Sequence, residues 1–181
     1  AQQRQILWWV LSINFGFFVV EMTTGLISRS MGLVADSLDM LADSIVYGLS
    51  LMAVGSTMIR KKKVARVSGY FQILLAVLGL VEVIRRFMGL EEIPAFGMMI
   101  VVSVFALIAN SISLYLIQRT KSKEAHMQAS MIFTSNDIII NAGVIVAGSL
   151  VYYTHSGLPD LIVGGVIFLI VIRGAMRILK L

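Results

Sequence analysis

The sequence predicts an all-α, polytopic membrane protein with six transmembrane helices. Hydrophobic residues make up 58% of the chain and charged residues only 14%, whereas a typical soluble domain is about 45–50% apolar and about 25% charged. The mean hydropathy is +0.90. The apolar residues also fall into runs that reach the roughly 20 residues a helix needs to cross the hydrocarbon core. Soluble enzymes and nucleic-acid-binding domains are therefore disfavoured.

Six apolar runs are each expected to form one transmembrane helix, within a single domain that has no soluble part. The predicted spans are 6–28, 32–59, 64–88, 94–117, 126–154 and 158–181. Pro94 and Pro159, the two prolines of the chain, stand where the fourth and sixth helices should begin. Proline is tolerated there because the first turn of a helix does not need its amide donor.

Short polar connections separate these runs. The tight segment SRSMG at 28–32 joins the first two, and the basic segment RKKKVAR at 60–66 separates the second from the third. The segment GLEEIPAFG at 89–97 ends the third run, QRTKSKEAH at 118–126 ends the fourth, and HSGLPD at 155–160 separates the last two. Because these connections are so short, any transport chemistry is expected to lie inside the helix bundle.

The basic residues predict the orientation of these helices. Of the 15 Lys and Arg residues, all except Arg29, Arg85 and Arg86 fall on the side of the bilayer that holds both chain ends. The positive-inside rule places that side in the cytoplasm. We expect an integral protein of a bacterial inner membrane with both termini cytoplasmic. The absence of cysteine excludes disulfides and thiolate metal sites.

The second run carries three carboxylates. Asp36, Asp39 and Asp43 stand at positions i, i+3 and i+7, and residues with that spacing share one face of a helix. An aspartate at the centre of a membrane helix costs about 2.5–3.5 kcal/mol on insertion scales. The acidic face is therefore expected to line the bundle interior or a water-filled cavity.

Other runs carry polar residues that we expect to converge on this face. Asp137 and Asn141 stand four residues apart on the fifth run. Asn14 and Glu21 lie on the first run, and Asn110 lies on the fourth. Helix packing and hydrogen bonding are the expected roles of the amides and Glu21, while Asn141 is also a candidate ligand.

Clustered carboxylates point to cation chemistry. Desolvation and mutual repulsion favour the protonated form of such groups, whereas a divalent cation supplies opposite charge and displaces protons as it binds. One site could hold either protons or a metal ion, which is the basis of exchange. The alternative is that the carboxylates only hold helices together, and it stays open above all for Asp36, near the outer mouth.

Two segments carry a family resemblance. The sequence VEMTTGLISRSMGLVADSLDMLADS at 20–44 resembles the first two helices of the cation diffusion facilitator family, and NDIIINAGVIVAGSLV at 136–151 resembles its fifth helix. The resemblance covers all six spans and implies the cation-efflux transmembrane-domain fold. It also implies a homodimeric exporter of divalent metals that uses a proton gradient. Relatives commonly carry a cytoplasmic metal-binding domain, which we expect this chain to lack.

The resemblance implies a tetrahedral transport site built by two residues of the second helix and two of the fifth. Asp39 and Asp43 match the second-helix pair, and Asp137 matches the last position on the fifth. These three, with Asn141 and Asp36, are the candidate metal ligands.

The fourth position of the implied site departs from the family pattern. It falls on Phe133, which cannot ligate, so water, Asn136 or Asn141 would complete the site. An all-oxygen site suits harder ions such as manganese, although zinc also binds carboxylates. We expect zinc on family grounds, with cadmium, cobalt, iron and manganese as alternatives, and no cofactor.

These observations predict a metal/proton antiporter that is not an enzyme. The phosphate-binding pattern GxxxxGK[ST] is absent. The main alternative is a membrane scaffold or metal sensor with a degraded site and no transport. A passive cation channel is the third hypothesis. The expected partners are the bilayer and a second copy of the chain, without nucleic acid.

Overall fold

The computed structural model describes residues 2–52, 57–90, 93–121 and 125–180, and across these residues the chain forms six α-helices. They are α1 (Gln2–Ser28), α2 (Met31–Met52), α3 (Met58–Arg85), α4 (Phe96–Arg119), α5 (Ala125–Thr154) and α6 (Leu158–Leu179). A short π-helical turn, Arg86–Leu90, extends α3. It contains Gly89 at φ 121°, a left-handed conformation that glycine adopts without strain.

The predicted all-α class and the six helices are confirmed. Within the described residues, α1, α3, α4, α5 and α6 are long and apolar enough to cross a membrane. The remaining helix, α2, has 22 residues, a sufficient length. It differs from the others because it carries Asp36, Asp39 and Asp43.

The predicted boundary between the second and third spans was wrong. Thr57 is extended, and its side chain accepts a hydrogen bond from the Arg60 backbone N–H, so α3 begins at Met58. Ile59, assigned to the second span, therefore belongs to α3, and the basic segment 60–66 is helical. A threonine cap starts the helix early, and long basic side chains can reach the interface from its first turns. Residues 53–56, also within the predicted second span, lie outside the described residues.

The helices pack around a polar interior. The helix α2 packs on α1 and α6, α3 packs on α6, and α4 packs on α5. The large core side chains include Leu33, Met99, Val144 and Phe168, whereas many large apolar residues face outward. Buried polar side chains include Asn14, Glu21, Asp36, Gln72, Asn110, Thr134, Asp137 and Asn141. This distribution, apolar outside and partly polar inside, fits a lipid surrounding.

Glycine lets α3 approach α6 closely. A Cβ added at Gly79 would clash with the ring of Phe168, which is fully buried. In membrane bundles, van der Waals packing of this kind replaces much of the hydrophobic driving force. The contact between Gly79 and Phe168 therefore contributes directly to the fold.

We expect Gly79→Ala to destabilise the protein by about 1–2 kcal/mol, because overpacking costs about 1–3 kcal/mol and replacing glycine in a helix returns up to about 1 kcal/mol. Thermal unfolding in detergent micelles, followed by circular dichroism, measures the loss. Gly16→Ala is the matched control, since nothing lies within 4 Å of its added Cβ, and it should show no loss. Equal melting temperatures for the two variants would contradict the packing argument.

Candidate metal centre

The helices α2 and α5 bring three carboxylates together. Asp39 and Asp43 come from α2 and Asp137 from α5, and one carboxylate oxygen of each lies within 4.8 Å of the others. A tetrahedral zinc ion with Zn–O bonds of about 2.1 Å holds its oxygens roughly 3.4 Å apart. We call these three groups the carboxylate cluster. Shifts of about an ångström at each side chain would therefore bring all three into contact with one ion.

Helical spacing produces this cluster. Asp39 and Asp43 are one turn apart on the same face of α2, and Asp137 interacts electrostatically with both of them from α5. All three are buried, and no described residue outside these three donates a hydrogen bond to either carboxylate oxygen of Asp137. Buried carboxylates without donors are costly. The cluster therefore needs positive charge, which either protons or a metal ion can supply.

A cavity of about 290 Å³ leads to two members of the cluster. Its lining consists of Asp39, Asp43, Phe133, Asn136, Ile139, Ile140, Ile170, Arg173, Gly174 and Arg177. Because Arg173 and Arg177 lie near the C-terminal end of α6, the cavity extends from the cluster toward that end of the bundle. In the predicted orientation this is the cytoplasmic end. A smaller cavity of about 140 Å³ also reaches Asp39 and Asp43.

Phe133 lies beside the carboxylates, at the position where the resemblance implies a fourth ligand. It lines both cavities together with Asp39 and Asp43, and its ring meets that of Tyr47 edge-on, with centroids 6.1 Å apart. Asn136 lines the larger cavity together with Asp39 and Asp43. Of the predicted substitutes for the fourth ligand, Asn136 is the one on this lining.

Asn141 and Asp36, the other candidate ligands, occupy different positions. Asn141 is fully buried one turn beyond Asp137, and neither polar atom of its amide has a hydrogen-bond partner among the described residues. Asp36 lies outside the carboxylate cluster and interacts electrostatically with Glu21 of α1 as well as with Asp39. The predicted acidic face of α2 thus divides into Asp39 and Asp43, which meet α5, and Asp36, which meets α1.

Sequence reasoning missed three residues near the cluster. Arg173 and Arg177 were assigned only to the basic side of the protein, yet they line the cavity. Their spacing of four residues, at the end of a long apolar stretch of α6, is the signal that could have identified them. Gln72 of α3 is fully buried and donates a hydrogen bond to the backbone oxygen of Leu38, next to Asp39. It fixes α3 to α2 beside the cluster.

Comparison with known proteins adds a family match. The model of the cation efflux transmembrane domain matches residues 7–180. The chain is 26% identical over 191 residues to the zinc transporter ZitB of Escherichia coli K12, an alignment that covers 98% of this chain and 60% of that protein. ZitB of Shigella flexneri matches with the same identity and coverage. The chain thus spans about 60% of the length of these relatives.

We expect Asp137→Asn to stabilise the metal-free protein while weakening metal binding. Two like charges about 5 Å apart repel by roughly 3 kcal/mol at an effective dielectric of about 20, so removing one should raise stability by about 1–3 kcal/mol at pH 9. Thermal unfolding without metal and calorimetric titration with zinc measure the two effects.

Ser135→Ala is a matched control on α5, because the Ser135 hydroxyl donates only to the backbone oxygen of Met131 in its own helix. It should change neither the melting temperature nor zinc binding by much. A lower melting temperature for Asp137→Asn would indicate that the charge of Asp137 is already compensated without metal.

Proposed function

Since the chain belongs to the cation efflux family, whose transmembrane-domain model matches residues 7–180, we propose that it exports a divalent metal ion in exchange for protons. The observation that carries this proposal is the carboxylate cluster, in which oxygens of Asp39, Asp43 and Asp137 lie within 4.8 Å of one another. Zinc is the first candidate because the relatives are named zinc transporters. Cadmium, cobalt, iron and manganese are the alternatives.

The proposed exchange uses one set of ligands for both ions. The metal enters through the cavity lined by Arg173 and Arg177 and displaces protons from the cluster as it binds. When the site faces the other side of the membrane, protons return to the carboxylates and the metal leaves. The release of the metal and the return of the protons are then coupled, because both ions compete for the same carboxylates.

The distribution of the ligands over two helices supports alternating access. The helix α2 packs on α1 and α6, while α5 packs on α4, so the cluster lies where two groups of helices meet. Movement of α5 against α2 would separate Asp137 from Asp39 and Asp43 and dismantle the site. A site that comes apart during the cycle can bind tightly on one side and release on the other.

The chemistry of the lining favours moderate affinity. Three carboxylates, with water or Asn136 as a fourth ligand, offer only oxygen, whereas zinc is bound well by nitrogen and sulfur. Arg173 and Arg177 line the same cavity, and their positive charge opposes that of an entering cation. Both features would shorten the residence of the ion, which favours turnover.

The remaining parts of the proposal concern the setting of the protein. We propose a homodimer in a bacterial inner membrane with both termini in the cytoplasm, because the basic residues concentrate on the side that holds both chain ends. The proposed substrates are a divalent metal and protons, and no enzymatic reaction is proposed.

One observation favours a second candidate function, a metal sensor or scaffold without transport. Phe133 occupies the cavity wall beside Asp39 and Asp43, where an additional ligand would strengthen the site. If the residual ligands hold a metal without releasing it across the membrane, the protein would bind but not transport. Flux measurements distinguish these candidates, and also a passive channel.

In proteoliposomes with an imposed pH gradient, we expect zinc uptake coupled to proton movement. Asp43→Asn should reduce zinc-dependent proton flux at least about tenfold, since it removes one of three charged ligands. Ser44→Ala is the control, because the Ser44 hydroxyl donates to the backbone oxygen of Met40 in its own helix. Binding without flux would favour the sensor, and flux that ignores the pH gradient would favour the channel.

We expect Phe133→His to tighten zinc binding at least about tenfold, because it offers an imidazole ligand and complete four-ligand zinc sites are worth about 10–16 kcal/mol. Isothermal titration of the purified protein with zinc measures the change. Phe133→Leu, which keeps an apolar side chain, should bind like the wild type. If Phe133→His leaves the affinity unchanged, Phe133 does not lie next to the bound ion.

A further inference from the structure

Asp160 of α6 caps the first turn of α2. Its Oδ2 accepts a hydrogen bond from the Met31 backbone N–H at 2.8 Å, and its Oδ1 accepts one from the Gly32 N–H at 3.0 Å. The Ser30 hydroxyl donates to the same Oδ1 at 2.7 Å and accepts from the Leu33 N–H at 3.1 Å. The amides that begin α2 are thus satisfied by a carboxylate from a helix 129 positions away.

This cap is buried inside the bundle and comes from another helix. Asp160 is 1% exposed, and hydrogen bonds to an ionised group in a water-poor interior are worth more than neutral ones. A negative charge at a helix N-terminus is also favoured by the helix dipole. The carboxylate therefore joins α2 and α6 at one defined point.

Two glycines make the close approach possible. A Cβ added at Gly32 would lie 2.9 Å from Asp160 Oδ1, and one added at Gly164 would lie 2.9 Å from the Met31 carbonyl carbon. Gly164 is one turn beyond Asp160 on α6. The backbone of α2 thus rests directly on α6 over the turn that follows the cap.

The cap lies on the same rigid helix as two members of the carboxylate cluster. Asp39 and Asp43 follow Met31 within α2, so any rotation of α2 about its axis is passed on to them. With side-chain ends roughly 6 Å from a helix axis, a rotation of about 20° would move each carboxylate by roughly 2 Å. That distance exceeds the tolerance of metal coordination.

We propose that Asp160 is a positioning residue for the metal centre, fixing the depth and rotation of α2 on α6 so that Asp39 and Asp43 face Asp137. The inference rests on the proposed function, because it assumes that the carboxylate cluster binds a metal. Under this proposal α2 and α6 move together, and access to the site changes by movement of α5 against that pair.

The test uses cobalt(II) as the probe, since its visible absorption reports coordination geometry as well as binding. We expect Asp160→Ala in nanodiscs to bind cobalt about tenfold more weakly, a typical effect of losing a group that orients metal ligands. Its spectrum at saturation should also differ from that of the wild type. The cobalt affinity of Asp160→Asn should lie between those of the wild type and Asp160→Ala. Its amide oxygen can still accept a hydrogen bond from one of the α2 backbone amides.

A glycine pair tests the same contact without touching the carboxylate. Gly164→Ala places a methyl group too close to the Met31 backbone. It should reproduce the weaker cobalt binding and the altered cobalt spectrum. Gly165→Ala is the matched control, because its added Cβ meets only Val83 Cγ1 at 3.7 Å, and it should behave like the wild type. If Asp160→Ala does not fold, this pair decides the question.

Wild-type cobalt affinity and spectrum in both Asp160→Ala and Gly164→Ala would overturn the proposal. Weaker binding with an unchanged spectrum at saturation would also overturn it, since a loss of stability alone leaves the geometry of the folded site intact. Should the wild type bind neither cobalt nor zinc, the proposed function fails, and amide exchange at Met31 and Gly32 then tests the cap by itself. Faster exchange in Asp160→Ala supports the cap, and unchanged exchange overturns it.

Discussion

The structure depends on one constraint: the negative charge of carboxylates buried at bilayer depth must be neutralised. Asp39, Asp43 and Asp137 meet in an interior where no described residue outside the cluster donates a hydrogen bond to the Asp137 carboxylate. A cluster of this kind is stable only when protons or a cation occupy it. In the proposed exchange, the cost of burying the three groups is also what lets a metal ion and protons replace one another.

The rest of the bundle holds that cluster in place from several directions. Gln72 of α3 and Asp160 of α6 both hydrogen-bond to α2, one to a backbone oxygen near Asp39 and the other to the amides of the first turn. The helix α5, by contrast, packs mainly on α4. The two halves of the cluster thus have different supports, which is what a site that opens and closes requires.

Much of this arrangement could be predicted from the sequence. Period and hydropathy predicted the helices, and the spacing of the acidic residues on α2 predicted that they face inward. Only three-dimensional packing could separate Asp36 from the cluster, because a shared helix face does not say which neighbouring helix each side chain meets. The same limit hid Arg173 and Arg177, whose charge indicated an interface position although they line the cavity.

The most direct measurement is the anomalous scattering of zinc in crystals soaked with the metal. We expect one anomalous peak between α2 and α5, with oxygens of Asp39, Asp43 and Asp137 at about 2.0–2.2 Å from it. A peak elsewhere in the bundle, or one that contacts α2 without Asp137, would contradict the claim that these three carboxylates form a single metal site.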